Sequence, residues 1–169
     1  AKRWNGAAWV EIGVGSASAT GISGDSACDT FSNKNGAPTV ALLDTGEPFV
    51  AWQHDPDDGD IYVKRFDGTT WGAMGTGSAS GNGISGSPPG SFTLLLHAFS
   101  DPVQGTPFVT WTEVSPSAIV QGGEEAFQVY VKKFNGVAWV PVAAGSASGE
   151  GIDNNDGVAV SPIGGAGTS

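Results

Sequence analysis

The sequence predicts an all-β chain built from repeated units of four short antiparallel strands. Three observations carry that prediction. Glycine (27) and proline (10) fill more than a fifth of the 169 residues, so the chain turns often. No stretch sustains an apolar period of 3.6 residues, which excludes long amphipathic helices. One pattern of residues also recurs three times in order, the mark of a repeat architecture.

The first copy reads Lys2-Arg3-Trp4-Asn5-Gly6, Trp9, Gly15-Ser16-Ala17-Ser18 and Gly21-Ile22-Ser23. The second reads Lys64-Arg65-Phe66-Asp67-Gly68, Trp71, Gly77-Ser78-Ala79-Ser80 and Gly83-Ile84-Ser85. The third reads Lys132-Lys133-Phe134-Asn135-Gly136, Trp139, Gly145-Ser146-Ala147-Ser148 and Gly151-Ile152-Asp153. The copies are offset by 62 and 68 residues. A further string, Gly46-Glu47-Pro48-Phe49-Val50-Ala51-Trp52, returns as Gly105-Thr106-Pro107-Phe108-Val109-Thr110-Trp111.

Each element follows from its residues. Lys2-Arg3-Trp4 is the end of one strand and Trp9 marks its return, a partial unit within residues 1–23. In the first complete unit (38–76), Thr39–Leu43 is a short apolar run suited to an inner, doubly buried strand A. Phe49–Trp52, β-branched and aromatic behind Gly-x-Pro, is strand B. Asp60–Phe66 is strand C and alternates, with Ile61, Val63 and Arg65 on one face and Tyr62, Lys64 and Phe66 on the other. Asp67-Gly68 is a two-residue hairpin signal. Thr70–Met74 around Trp71 is the return strand D, and Gly-Ser-Ala-Ser-Gly leads to the next unit. The second complete unit spans 90–144. A last strand A, Val158–Val160, lies in a partial unit at 156–163. Four antiparallel strands at a period of some 60 residues point to β-propeller blades rather than a sandwich.

The string Pro-Phe-Val-Ala-Trp followed by Asp-Ile-Tyr-Val-Lys-Arg-Phe-Asp-Gly-x-x-Trp resembles repeats of secreted and surface-attached bacterial and archaeal β-propeller proteins. More loosely it is similar to Kelch, sialidase-type and fungal-lectin propellers. The resemblance covers nearly the whole chain and implies a fold rather than an activity, because propellers host catalysis, sugar binding and scaffolding alike.

Two blades and two part-blades fall short of the roughly four to eight that close a propeller. The fold class expected is therefore a propeller-type set of blades completed by a neighbouring chain. Lys2, Arg3, Trp4 and Trp9 at one end and Val158, Ala159 and Val160 at the other are the candidate assembly residues. Association would be head-to-tail, giving a closed ring or a filament. The alternative is that the chain is a fragment of a larger surface propeller protein.

Composition narrows the partners. Seventeen acidic residues against seven basic ones give a net charge of −10, which argues against nucleic acid. No apolar run approaches the roughly 18–20 residues of a membrane span, so no membrane insertion is expected. A single cysteine, Cys28, excludes an intrachain disulfide and a multi-cysteine zinc site, and reads as a small loop residue. Only 14% of residues are charged. With Gly/Ser/Thr-rich loops, this suits an extracellular or cell-surface protein; no Asn-x-Ser/Thr sequon occurs.

All six tryptophans fall at repeat positions, as inter-blade packing requires. Trp52 and Trp111 are also the candidates for stacking against a glycan, in which case the chain would be a carbohydrate-binding propeller lectin. Asp55, Asp57, Asp58 and Asp60 form the one cluster with a glycine and alternating carboxylates, a candidate Ca²⁺ site; no other cofactor is expected. The bland reading of that cluster is an acidic, solvated turn. Arg3 and Arg65 share one repeat position, so they do not form the arginine triad of sialidases. His54 and His97 do not align with each other, and no nucleophile motif accompanies them. The chain is expected to be no enzyme but a structural repeat protein.

Overall fold

The computed structural model describes residues 1–18, 20–24, 36–54, 59–114, 127–149 and 151–153. Ten strands and no helix occur among them. A two-stranded hairpin joins β1 (Lys2–Trp4) to β2 (Trp9–Glu11). A first sheet has the order β3 (Gly36–Leu42), β4 (Pro48–His54), β5 (Asp60–Phe66) and β6 (Trp71–Ala73). A second repeats it with β7 (Phe92–Ser100), β8 (Pro107–Val114), β9 (Gln128–Phe134) and β10 (Trp139–Pro141). Within each sheet every strand pairing is antiparallel and joins strands consecutive in the chain; outside the strands, an isolated parallel bridge links Ile61 to Gly83. The chain is thus all-β, with antiparallel four-stranded sheets.

Local chemistry accounts for the turns, with one correction. The Asp67 N–H donates to Thr70 O at 3.1 Å, so the hairpin tip is Gly68-Thr69, one residue later than the Asp67-Gly68 pair suggests. Gly68 stands at φ +95°, at the place where a type II′ turn favours glycine. Asp67 instead sits before the tip, where its carboxylate accepts the N–H groups of Thr70 and Thr69 at 2.7 and 2.8 Å. Those bonds hold its carboxyl below the usual carboxylate range. Asn5 and Asn135 make the same two bonds in their own hairpins.

The inner strands also depart from expectation. The apolar run of strand A predicts burial on both faces, yet β3 and β7 are edge strands, and Val40, Leu42, Leu95 and Phe99 are exposed. Apolar composition alone does not bury a strand; a neighbour on each face does. Both carry the same irregularity, a register shift between Gly36 and Thr39 and again between Leu94 and His97. Within these shifts Ala37 (φ 43°) and Leu95 (φ 47°) adopt the left-handed region. That costs a non-glycine residue about 1–2 kcal/mol, so its recurrence marks a built bulge.

The core sits between the two sheets. Phe49, Ala51, Ile61 and Val63 of β4 and β5 point one way, as the Ala51–Val63 pairing requires. Val109 and Trp111 of β8 and Tyr130 of β9 meet them from the second sheet. β7 lies beside β3, where the Ala98 N–H donates to Thr39 Oγ1 and Ser100 Oγ donates to Leu42 O. The Gly-Ser-Ala-Ser-Gly segments are not mere connectors. The Val63 N–H donates to Ser78 O (2.6 Å) and the Ile84 N–H to Ile61 O (2.7 Å), continuing the sheet edge beyond the end of β6. Val131 with Ser146, and Ile152 with Val129, repeat this in the next unit. An otherwise bare strand edge is thereby covered.

Candidate functional site: the junctions between units

The most regular chemistry in the molecule lies where one unit meets the next. At the first junction, Trp71 Nε1 donates to Ile12 O and Lys64 Nζ donates to Ile22 O. The edge of Phe66 closes over Gly13, where an added Cβ would lie 3.0 Å from the ring. The second junction copies each contact. Trp139 Nε1 donates to Met74 O (2.8 Å), Lys132 Nζ to Ile84 O, and Phe134 closes over Gly75, again at 3.0 Å. Each unit therefore grips its predecessor with one indole, one ammonium and one ring edge. The acceptors are backbone carbonyls, so on the gripped side the contact depends on the path of the chain and not on side-chain identity.

Electrostatics follow from burial. Desolvation holds the Lys132 ammonium below its ordinary pKa. Tyr130 shares this junction; its hydroxyl donates to Gly149 O at 2.7 Å. Burial first, then the negative charges of Glu113 and Asp153, push its phenol up to about 12. The sign is clear. The folded state keeps this proton to a higher pH than the unfolded chain, so the stability is complete below about pH 10 and is lost as pH climbs toward 12. A rise from 10 to about 12 corresponds to about 2.7 kcal/mol, and about 1–2 after allowance for screening. Unfolding free energies measured from pH 8 to 12 should fall above pH 10, and more gently in Tyr130→Phe. Equal slopes in the two proteins would exclude Tyr130 as the group responsible.

The predicted site residues fall as follows. Trp52 and Trp111 are buried, packed edge-on or tilted against Tyr62 and Tyr130, so their rings meet protein rather than solvent. Asp60 is buried at the start of β5, paired in register with His54. Asp55, Asp57 and Asp58 lie outside the described residues, as do Cys28 and Val158, Ala159 and Val160. Among the described residues no three His, Cys, Asp or Glu side chains converge. Lys2, Arg3, Trp4 and Trp9 lie together on the β1–β2 hairpin, exposed. Trp4 and Trp9 face each other at 6.0 Å.

Sequence reasoning missed two features. Lys64 and Lys132 were not singled out, although their recurrence on the face opposite Ile61 and Val63 was the signal that could have found them. Glu113 is buried, accepting from Ser87 Oγ (2.8 Å) and Trp111 Nε1 (3.3 Å). Trp111 lies two residues away on the same strand, but only the tertiary fold brings Ser87 to it. Comparison with protein-family models, with curated proteins and with solved structures gives no match.

Proposed function

We propose that the chain is a non-enzymatic, extracellular structural repeat protein of β-propeller type that self-associates head-to-tail by sharing blade strands. One observation carries this reading: the same repeat positions are core in one unit and open in the next. Met74 and Ile84 are 1% and 4% exposed, whereas their equivalents Val142 and Ile152 are 39% and 56% exposed. Phe49, Ile61 and Val63 are fully buried; Phe108, Val129 and Val131 are only half-buried. The second sheet thus presents an unfinished copy of the core that the first sheet completes. Apolar surface of this kind marks an interaction face.

The test is the native mass of the 17.0 kDa chain by light scattering, with negative-stain microscopy. Discrete small rings or long polymers are the expected result. A well-folded monomer across the concentration range would overturn the reading. The glycan-binding alternative draws on a different observation, a cleft of 580 Å³ between the β1–β2 hairpin and the first sheet, with Lys2, Arg3, Glu11 and Glu47 on its walls. Binding on a glycan array that is lost in Arg3→Ala would favour it.

A further inference from the structure

Among the described residues, two exposed faces carry the repeat positions that form the two sides of each internal junction. The leading half is on the β1–β2 hairpin. Trp9 occupies the repeat position of Trp71 and Trp139, Lys2 that of Lys64 and Lys132, and Trp4 that of Phe66 and Phe134. Within each sheet these residues grip the unit before. On the hairpin Trp4 and Trp9 are 54% and 63% exposed. The trailing half is on the second sheet, where the carbonyls of Val142 and Ile152 stand at the repeat positions of the acceptors Met74 and Ile84.

We infer that a second copy of this chain docks its β1–β2 hairpin on the trailing face of the second sheet, Trp9 Nε1 donating to Val142 O and Lys2 Nζ to Ile152 O. This rests on the self-association reading and adds the seam through which it occurs. The occupant follows from complementarity: a donor set without its usual acceptors and an acceptor set without its usual donors lie on one molecule. Such a contact is heterologous, so it repeats from copy to copy until it closes a ring or extends a fibre.

One residue makes this seam weaker than the internal junctions. Gly13 and Gly75, at φ +80° and +98°, leave room for the ring of the following unit. The third copy has Ala143 there, outside the left-handed region. Its backbone has turned accordingly. The Val142 N–H donates to Ser146 Oγ (2.9 Å), whereas the equivalent Met74 N–H donates to Val63 O (3.2 Å). To present the Val142 carbonyl as Met74 presents its own, Ala143 must enter a region that resists a Cβ. Its methyl must also make room for the Trp4 ring. The seam is therefore reversible, where the internal junctions are fixed by the fold.

Three substitutions at exposed positions test this in the 169-residue chain, with dissociation constants from sedimentation velocity over a wide concentration range. Trp9→Phe keeps a ring and removes the donor; Lys2→Met keeps the stem and removes the charge. Each should weaken association about five- to tenfold, the worth of one hydrogen bond or slightly more. Ala143→Gly should strengthen it about tenfold by releasing the backbone. Circular dichroism and melting should match the parent in all three. If the parent associates and none of the three changes its constant, self-association stands and this seam is wrong. If the parent stays monomeric at every concentration, the self-association reading fails and the seam with it.

Discussion

Trp111→Ala is expected to cost about 3–5 kcal/mol of folding stability, within reach of the whole margin of an ordinary domain. Trp111 is the largest of the fully buried side chains. It stands opposite Tyr130 in the β8–β9 register, ring centroids 5.7 Å apart, and belongs to the core between the sheets. Truncation removes that packing and leaves a cavity no neighbour can fill, because the surrounding side chains are anchored on two sheets. It also takes from the buried Glu113 one of two donors, leaving Ser87 Oγ. A buried carboxylate that loses a hydrogen bond adds to the cost. Trp9→Ala is the natural comparison, an indole so exposed that its loss should cost under about 1 kcal/mol. Guanidinium unfolding of both variants, with m-values checked for two-state behaviour, measures the difference. A loss below about 1.5 kcal/mol for Trp111→Ala would mean that this ring is not the keystone of the core.

Much of this fold was legible in the sequence, for identifiable reasons. Strand C was placed at Asp60–Phe66 to the residue, because a strict alternation runs between a glycine and an Asp-Gly turn. Strands B and D were placed within two residues at each end, since Gly-x-Pro and the hairpin bound them. What the sequence could not supply was the neighbour of each face. Thr39–Leu43 reads as a buried strand from composition, yet whether Val40 is covered depends on what lies beside β3. The left-handed Ala37 and Leu95 were invisible for another reason: neither residue type favours that conformation, so no propensity announces the bulge. The Gly-Ser-Ala-Ser segments misled in the same way. Their bonds to β5 and β9 run through backbone groups, which every residue carries. The junction chemistry was half legible: tryptophan periodicity was plain, but its acceptors are carbonyls, which no side-chain pattern can reveal.

Gly83→Ala separates two meanings of a repeated glycine. Gly83 stands at φ +58°, and a Cβ there would lie 2.1 Å from the Ile61 carbonyl oxygen and 2.8 Å from its carbon. Backbone cannot yield as a side-chain tip does. The loop must move away, breaking the bond from the Ile84 N–H to Ile61 O and pulling Ile84 out of the core. The left-handed penalty, the lost bond and the lost burial together set the expected cost at about 3–4 kcal/mol. Gly21 holds the same repeat position at φ +64°, yet the nearest atom to its added Cβ is 3.9 Å away. Gly21→Ala should therefore cost only the conformational part, about 1–2 kcal/mol. The two share a sequence environment and a backbone angle, so their difference isolates the close approach of loop to strand. Equal losses in thermal or chemical unfolding would show that the glycine is needed for its dihedral alone. A Gly83→Ala loss at least 1 kcal/mol larger would show that the loop holds the strand edge by direct contact, which is how each unit here finishes its own sheet before handing the chain to the next.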